Sequence, residues 1–197
     1  IDELAKAAGV GDQVAAITES AMRGEIDFKE SLRRRLRQLK GLPAETLEAV
    51  GARIPLNDGA ERLITNLKRF GYKIAIISGG FTYFTAMVRI ALGFDIDHAT
   101  RLEINRDKLA GTVAEPILGK EAKLQALQEI AARLGITPRE VIAVGDGAND
   151  LPMLLAAGTG VALHAKPRVQ AECEVRVNHG DLTALLYLQG VSREDFA

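Results

Sequence analysis

Val141-Ile142-Ala143-Val144-Gly145-Asp146-Gly147-Ala148-Asn149-Asp150 is the stretch whose reading decides the fold. Four apolar residues run straight into a turn that carries two carboxylates and one amide. The glycines allow close approach of backbone and ligand. A lone Asp-Gly turn is ordinarily a strand-to-helix connection whose Asp or Asn caps the next helix. Both acids and the amide together, directly behind a buried strand, favour a ligand site instead. Carboxylate oxygens there suit a hard cation such as Mg²⁺, which takes oxygen ligands and commonly a phosphate among them.

Working outward, Lys73-Ile74-Ala75-Ile76-Ile77 reads as another short apolar strand, followed by Ser78-Gly79-Gly80. Upstream of it, Asp58 is placed to cap a helix with Leu63, Ile64, Leu67 and Phe70 on one side. Downstream, Phe84, Val88 and Leu92 predict a further helix. Arg101 to Val113, with Asn105-Arg106-Asp107 in the middle, reads as an antiparallel hairpin. Gly119 to Leu134 is an amphipathic helix, and 150–157 a short one with Pro152 in its first turn. Gly160-Val161-Ala162-Leu163 predicts a third core strand. A last strand near Val175 and a helix over 181–188 complete the pattern. The first fifty or so residues read as helices, with breaks at Gly9-Val10-Gly11 and Gly41-Leu42-Pro43. Strands alternating with helices predict an α/β fold, with a parallel sheet covered on both faces.

In such sheets ligands bind beyond the carboxyl ends of the strands. Ser78 offers a hydroxyl there, and Gly79 and Gly80 offer backbone N–H groups suited to an anion. A lysine on the intervening helix could neutralise charge where phosphate and carboxylates meet. Spacing leaves Lys120 and Lys123 open as candidates, against the ordinary fate of lysine on a solvated face.

Composition narrows the classes. The chain has 197 residues with 25 basic and 26 acidic side chains, so no nucleic-acid footprint is evident. No apolar run is long enough to span a bilayer. A single cysteine, Cys173, fits a reducing compartment, and no neighbouring motif suggests a nucleophile. These features fit a cytoplasmic protein with no nucleic acid and no membrane partner.

Ile77-Ser78-Gly79-Gly80-Phe81, Glu121-Ala122-Lys123 and Gly145-Asp146-Gly147-Ala148-Asn149-Asp150, in that order, resemble the haloacid dehalogenase-like phosphatases, specifically their phosphoserine-cleaving branch. Ile1-Asp2-Glu3-Leu4-Ala5, Ala21-Met22-Arg23-Gly24, Asp27-Phe28, Ser31-Leu32-Arg33 and His164-Ala165-Lys166-Pro167 agree with that branch. The resemblance implies a Rossmann-like three-layer core over 54–197 and a small helical cap over 1–53. It implies Mg²⁺-dependent hydrolysis of O-phosphoserine to serine and phosphate. Asp146 would ligate the metal, with Asn149 and Asp150 steadying the site. Ser78 and the Gly79 amide would grip the phosphoryl oxygens. Lys123 would pair with the nucleophilic carboxylate and the phosphate. Arg35 would bind the substrate carboxylate, with Met22 and Phe28 packing around the serine part. Ser78, Lys123 and Asp146 are thus expected within reach of one guest.

The family's aspartyl nucleophile lies in an Asp-x-Asp-x-Thr motif on a first core strand, expected before Ile1 and absent from these residues. Without that strand, neighbouring strands would leave backbone groups unpaired, and residues 1–197 alone are expected to fold poorly and lack activity. Asp95-Ile96-Asp97-His98-Ala99 is the nearest string, but it follows Gly93-Phe94 and has Ala99 where Thr is needed, so it reads as a decoy. Two alternatives remain: a related phosphatase or phosphotransferase for another small phosphomonoester, and a nucleophile-less module that binds phosphorylated ligands.

Overall fold

Apolar residues spaced three and four apart make the N-terminal quarter helical. In a computed structural model that describes residues 1–115 and 117–197, helices α1 (Asp2–Ala7), α2 (Gly11–Met22), α3 (Phe28–Gln38) and α4 (Glu45–Gly51) follow in succession. The start of α3 is set by Asp27, whose carboxylate accepts a hydrogen bond from the Glu30 amide at 2.9 Å. Such a cap stabilises by about 1 kcal/mol over alanine. Leu32, Leu36 and Leu39 are buried and share a core with Leu4, Val14, Leu47 and Val50.

Alternation begins with α5 (Ala60–Arg69), β1 (Ala75–Phe81), α6 (Thr82–Leu92) and β2 (Ile96–Thr100). The hairpin β3 (Leu102–Asn105) and β4 (Lys108–Val113) follows. It turns at Arg106 and Asp107, with φ of 48° and 61°. Next come α7 (Lys120–Leu134), β5 (Ile142–Gly145), α8 (Leu151–Ala156), β6 (Thr159–Leu163), α9 (Pro167–Glu172), β7 (Val175–Val177) and α10 (Ala184–Leu188).

The described residues form two compact units. The first joins Ile1–Leu56, Ser78–Ala91 and Asp97–Ile117 around the core just described, to which Phe81, Leu109 and Ile117 also belong. The second joins Asn57–Ile77, Leu92–Ile96 and Leu118–Ala197. Its centre is the parallel sheet β5-β6-β7, with Val144 opposite Val161 and Val161 opposite Val175. Consecutive residues of a strand face opposite sides. Val161 accordingly packs with Leu63, Ile64, Leu185 and Leu186, from α5 and α10. Ala162 packs with Leu127, Leu151, Leu154 and Val169, from α7, α8 and α9. Helices on both faces of a parallel sheet make the layered α/β core that the sequence predicts. Among the described residues β5 has a strand partner on one side only, and its Ile142 is 36% exposed.

Three expectations need correction. Asp58 does not cap α5: the residue before that helix is Gly59, at φ 78° with no side-chain cap. A Cβ on Gly59 would also stand 2.9 Å from the Asp181 carboxylate, so glycine is required there twice over. Second, β1 runs on through Ser78, Gly79 and Gly80 to Phe81 instead of ending at Ile77. Third, Asp95 to Ala99 includes most of a strand, β2, that polarity hid. Cys173 is buried in the apolar layer beneath α9, and burial pushes its thiol up, as expected of an inert cysteine.

Candidate active site

β5 delivers the Gly145–Asp150 turn to the carboxyl end of the second unit's sheet. There the two carboxylates divide. Asp150 is 4% exposed and folds back over the turn. One of its oxygens accepts from the Asp146 amide at 3.2 Å and the Gly147 amide at 3.0 Å. Its other oxygen pairs with Lys123 Nζ, on the first turn of α7, where both side chains are almost wholly buried. Asp150 makes no side-chain cap on α8, so the cap interpretation of this turn fails. Gly145 permits the fold-back, because a Cβ there would lie 2.6 Å from Asp150 Cβ.

Asp146 is the opposite case. Its carboxylate is exposed and has no hydrogen-bond or ion-pair partner among the described residues. Its main chain is held at both ends: the amide by Asp150, the carbonyl by the Lys166 amide at 3.1 Å. The residue lines a cavity of about 470 Å³ together with Asn57, Asp58, His164, Gly180 and Asp181. Asp181 is held below the usual carboxylate range by hydrogen bonds from the Thr183 hydroxyl and amide. Lys123, paired with Asp150, does not line this cavity, which carries the negative charge of its own aspartates. Asn149 is exposed, with its amide oxygen folded toward Gly147. Lys120, the other lysine candidate, has a side chain outside the described residues.

Asp146 offers a hard cation one carboxylate. Among the described residues no group of three or more His, Cys, Asp or Glu side chains is arranged to hold a metal. A single carboxylate still fits Mg²⁺, which binds through one or two carboxylates plus phosphate and water.

The remaining candidates lie in the first unit. Ser78 is partly buried, and its Oγ accepts from the Gly80 amide at 3.0 Å. A Cβ at Gly79 would meet nothing within 4 Å, so space is open on that side. The three consecutive arginines separate by partner. Arg33 pairs with Glu115 at 2.8 Å and Arg34 with Glu30 at 2.7 Å. Arg35 has no carboxylate partner at ion-pair distance among the described residues, and its Nε makes only a long 3.4 Å contact to Ser31 O. Burial pushes its guanidinium below the ordinary arginine value. Met22 is 77% exposed and Phe28 45%.

The Asp95–Ala99 string has its carboxylates committed elsewhere. Asp95 accepts from the Ile74 amide at 2.9 Å, while Asp97 accepts from Thr85 Oγ1 at 3.0 Å and pairs with Arg89 at 2.8 Å. The decoy reading is consistent with this. Asn57, Asp58 and Asp181 were not anticipated beside Asp146. They come from two loops distant in sequence, and only the His164-Ala165-Lys166-Pro167 string signalled any of that neighbourhood.

The family model of haloacid dehalogenase-like hydrolases matches residues 1–158, and the chain belongs to that family. It is 48% identical over 188 residues to the phosphoserine phosphatase of Haemophilus influenzae, across 95% of this chain and 60% of that protein. It is 47% identical over 185 residues to the phosphoserine phosphatase of Archaeoglobus fulgidus, across 94% of this chain and 54% of that one. The chain therefore spans little more than half the length of these two relatives. A solved substrate-bound phosphoserine phosphatase complex superposes with a TM-score of 0.86 at 40% identity, covering 95% of this chain and 89% of that one.

Proposed function

We propose that these residues serve, within the full-length protein, a Mg²⁺-dependent phosphomonoester hydrolase that converts O-phosphoserine to serine and phosphate in the cytoplasm. The observation that carries the proposal is the division between the two carboxylates: Asp150 is consumed in holding the turn, and Asp146 is left unpartnered at a cavity. The similarity to phosphoserine phosphatases supports the choice of substrate.

Asp146 would hold the magnesium ion, which supplies charge neutralisation at phosphate oxygens. The chain's own residues bind and orient. The Ser78 hydroxyl and the Gly79 amide donate to phosphoryl oxygens, whose charge grows during transfer. Lys123 brings positive charge, and Asp150 fixes both that lysine and the turn. Asn149 steadies the loop. The attacking carboxylate of the family's aspartyl-phosphate route is assigned to none of these 197 residues. Residues 1–53 serve as the substrate cap and 54–197 as the phosphatase core. Within that cap Arg35 reads the substrate carboxylate, and Met22 and Phe28 pack against the serine carbons. An unpaired guanidinium that already bears a desolvation cost is suited to a carboxylate guest.

The test is phosphate release from O-phosphoserine and from phosphoethanolamine, which lacks the carboxylate, by the full-length protein and Arg35→Ala. A hydrogen bond to a charged group contributes about 1.5–3 kcal/mol. Arg35→Ala should therefore lose roughly 10- to 150-fold in kcat/KM on phosphoserine and little on phosphoethanolamine. Equal losses on both would sink the serine assignment and favour another phosphomonoester.

A further inference from the structure

We propose that His164 is a positioning residue that holds the main chain of Asp146 in its working place, an inference that rests on Asp146 being the metal-bearing carboxylate. Three residues outside glycine have positive φ among the described residues: Arg106, Asp107 and His164. The first two form the β3–β4 turn, where a hairpin demands that conformation. His164, at φ 45°, stands at the end of β6 with no hairpin to require it. A backbone held in a sparsely populated region persists only where its surroundings impose it, and such positions cluster at functional sites.

The surroundings here are specific. The His164 amide donates to Val177 O at 2.8 Å. Its Nε2 lies 2.9 Å from Gly180 O. A carbonyl only accepts, so Nε2 carries the proton in that bond. The imidazole thus bridges the exits of β6 and β7. The left-handed turn at His164 sends Ala165 into the buried core and brings the Lys166 amide back to Asp146 O at 3.1 Å. Asp146 is gripped on its N-terminal side by Asp150 and on its C-terminal side by this turn. His164 and Asp146 face the same cavity, and no bond joins their side chains. The influence therefore runs through the backbone, as with outer residues that orient metal ligands.

Three variants of the full-length protein separate the parts. His164→Gly removes the imidazole and relieves the positive φ. His164→Ala removes the imidazole and keeps the strain. His164→Gln keeps a donor of similar reach. Each is measured for Mg²⁺ half-saturation and KM in phosphoserine hydrolysis, for direct Mn²⁺ binding by calorimetry, for Tm, and for hydrogen exchange at the Lys166 amide. Expected are about tenfold weaker metal affinity in the Gly and Ala variants, unchanged KM for phosphoserine, lost protection of the Lys166 amide, and recovery of most of both in Gln. Unchanged metal affinity with a protected Lys166 amide in His164→Gly would overturn the proposal. So would a uniform fall of all parameters in step with Tm, which marks a purely structural role. If the wild type releases no phosphate, the assigned function fails, and Mn²⁺ binding with Lys166 exchange still decides the role of His164.

Discussion

Replacing Asp150 by Asn removes one charge from a site where it is needed for two purposes. The residue is 4% exposed, and its partner lysine has a side chain 12% exposed. Deleting one member of a buried pair costs about 3–5 kcal/mol, because the other charge is left uncompensated. Asn is isosteric and leaves the approach of Gly145 undisturbed. Its amide oxygen can still accept from the Asp146 and Gly147 amides, which restores about 1 kcal/mol. The remaining loss is about 3 kcal/mol, and for a chain of this length that lowers Tm by about 6–12 °C. Thermal unfolding followed by circular dichroism on the full-length protein reads this directly. Lys123→Met should cost a similar amount, leaving Asp150 charged and buried. The double variant should lose clearly less than the sum, with a coupling of about 2 kcal/mol. A melting point for Asp150→Asn within about 1 °C of wild type, with additive single losses, would refute the buried pair.

Gly145→Ala places a Cβ 2.6 Å from Asp150 Cβ and 2.7 Å from its Cγ, so the fold-back must give way. Overpacking of this kind costs about 1–3 kcal/mol, and hydrogen exchange should show the Asp146 and Gly147 amides losing protection. A second prediction concerns pH. The Glu140 carboxyl is held below its ordinary 4.5 by the Thr137 amide at 2.9 Å and the Thr137 hydroxyl at 3.0 Å. Its stabilising contribution is complete above that ordinary value and disappears as pH falls through the lowered folded one. The Tm difference between wild type and Glu140→Gln should therefore be largest near neutrality and shrink below about pH 4.5; a gap independent of pH would exclude the carboxylate as its source.

The parallel strands and the long helix α7 were legible because each rests on a local pattern. Val141 to Val144 is an uninterrupted apolar run, and α7 stops at Gly135. Layering follows from the same alternation, since Val161 and Ala162 feed opposite faces. β2 escaped because Asp97 within it and Asp95 just before it are satisfied by Ile74, Thr85 and Arg89, partners between eight and twenty-one positions away that no window reveals. Ser78 to Gly80 read as loop because glycine is a poor strand former, yet β1 extends through them. The site was legible in residue type but not in assignment. Spacing could not show that Asp150 turns inward on Lys123 while Asp146 stays free. Nor could it separate Arg35 from Arg33, whose partner Glu115 is 82 positions away.

The most direct measurement is a magnesium titration of phosphate release from O-phosphoserine, run side by side on the full-length protein and Asp146→Asn. The wild type should require the ion and saturate with it, and Asp146→Asn should lose both turnover and that saturation. An identical magnesium curve for the two proteins would mean that Asp146 does not carry the metal, and the proposed site would be wrong at its centre.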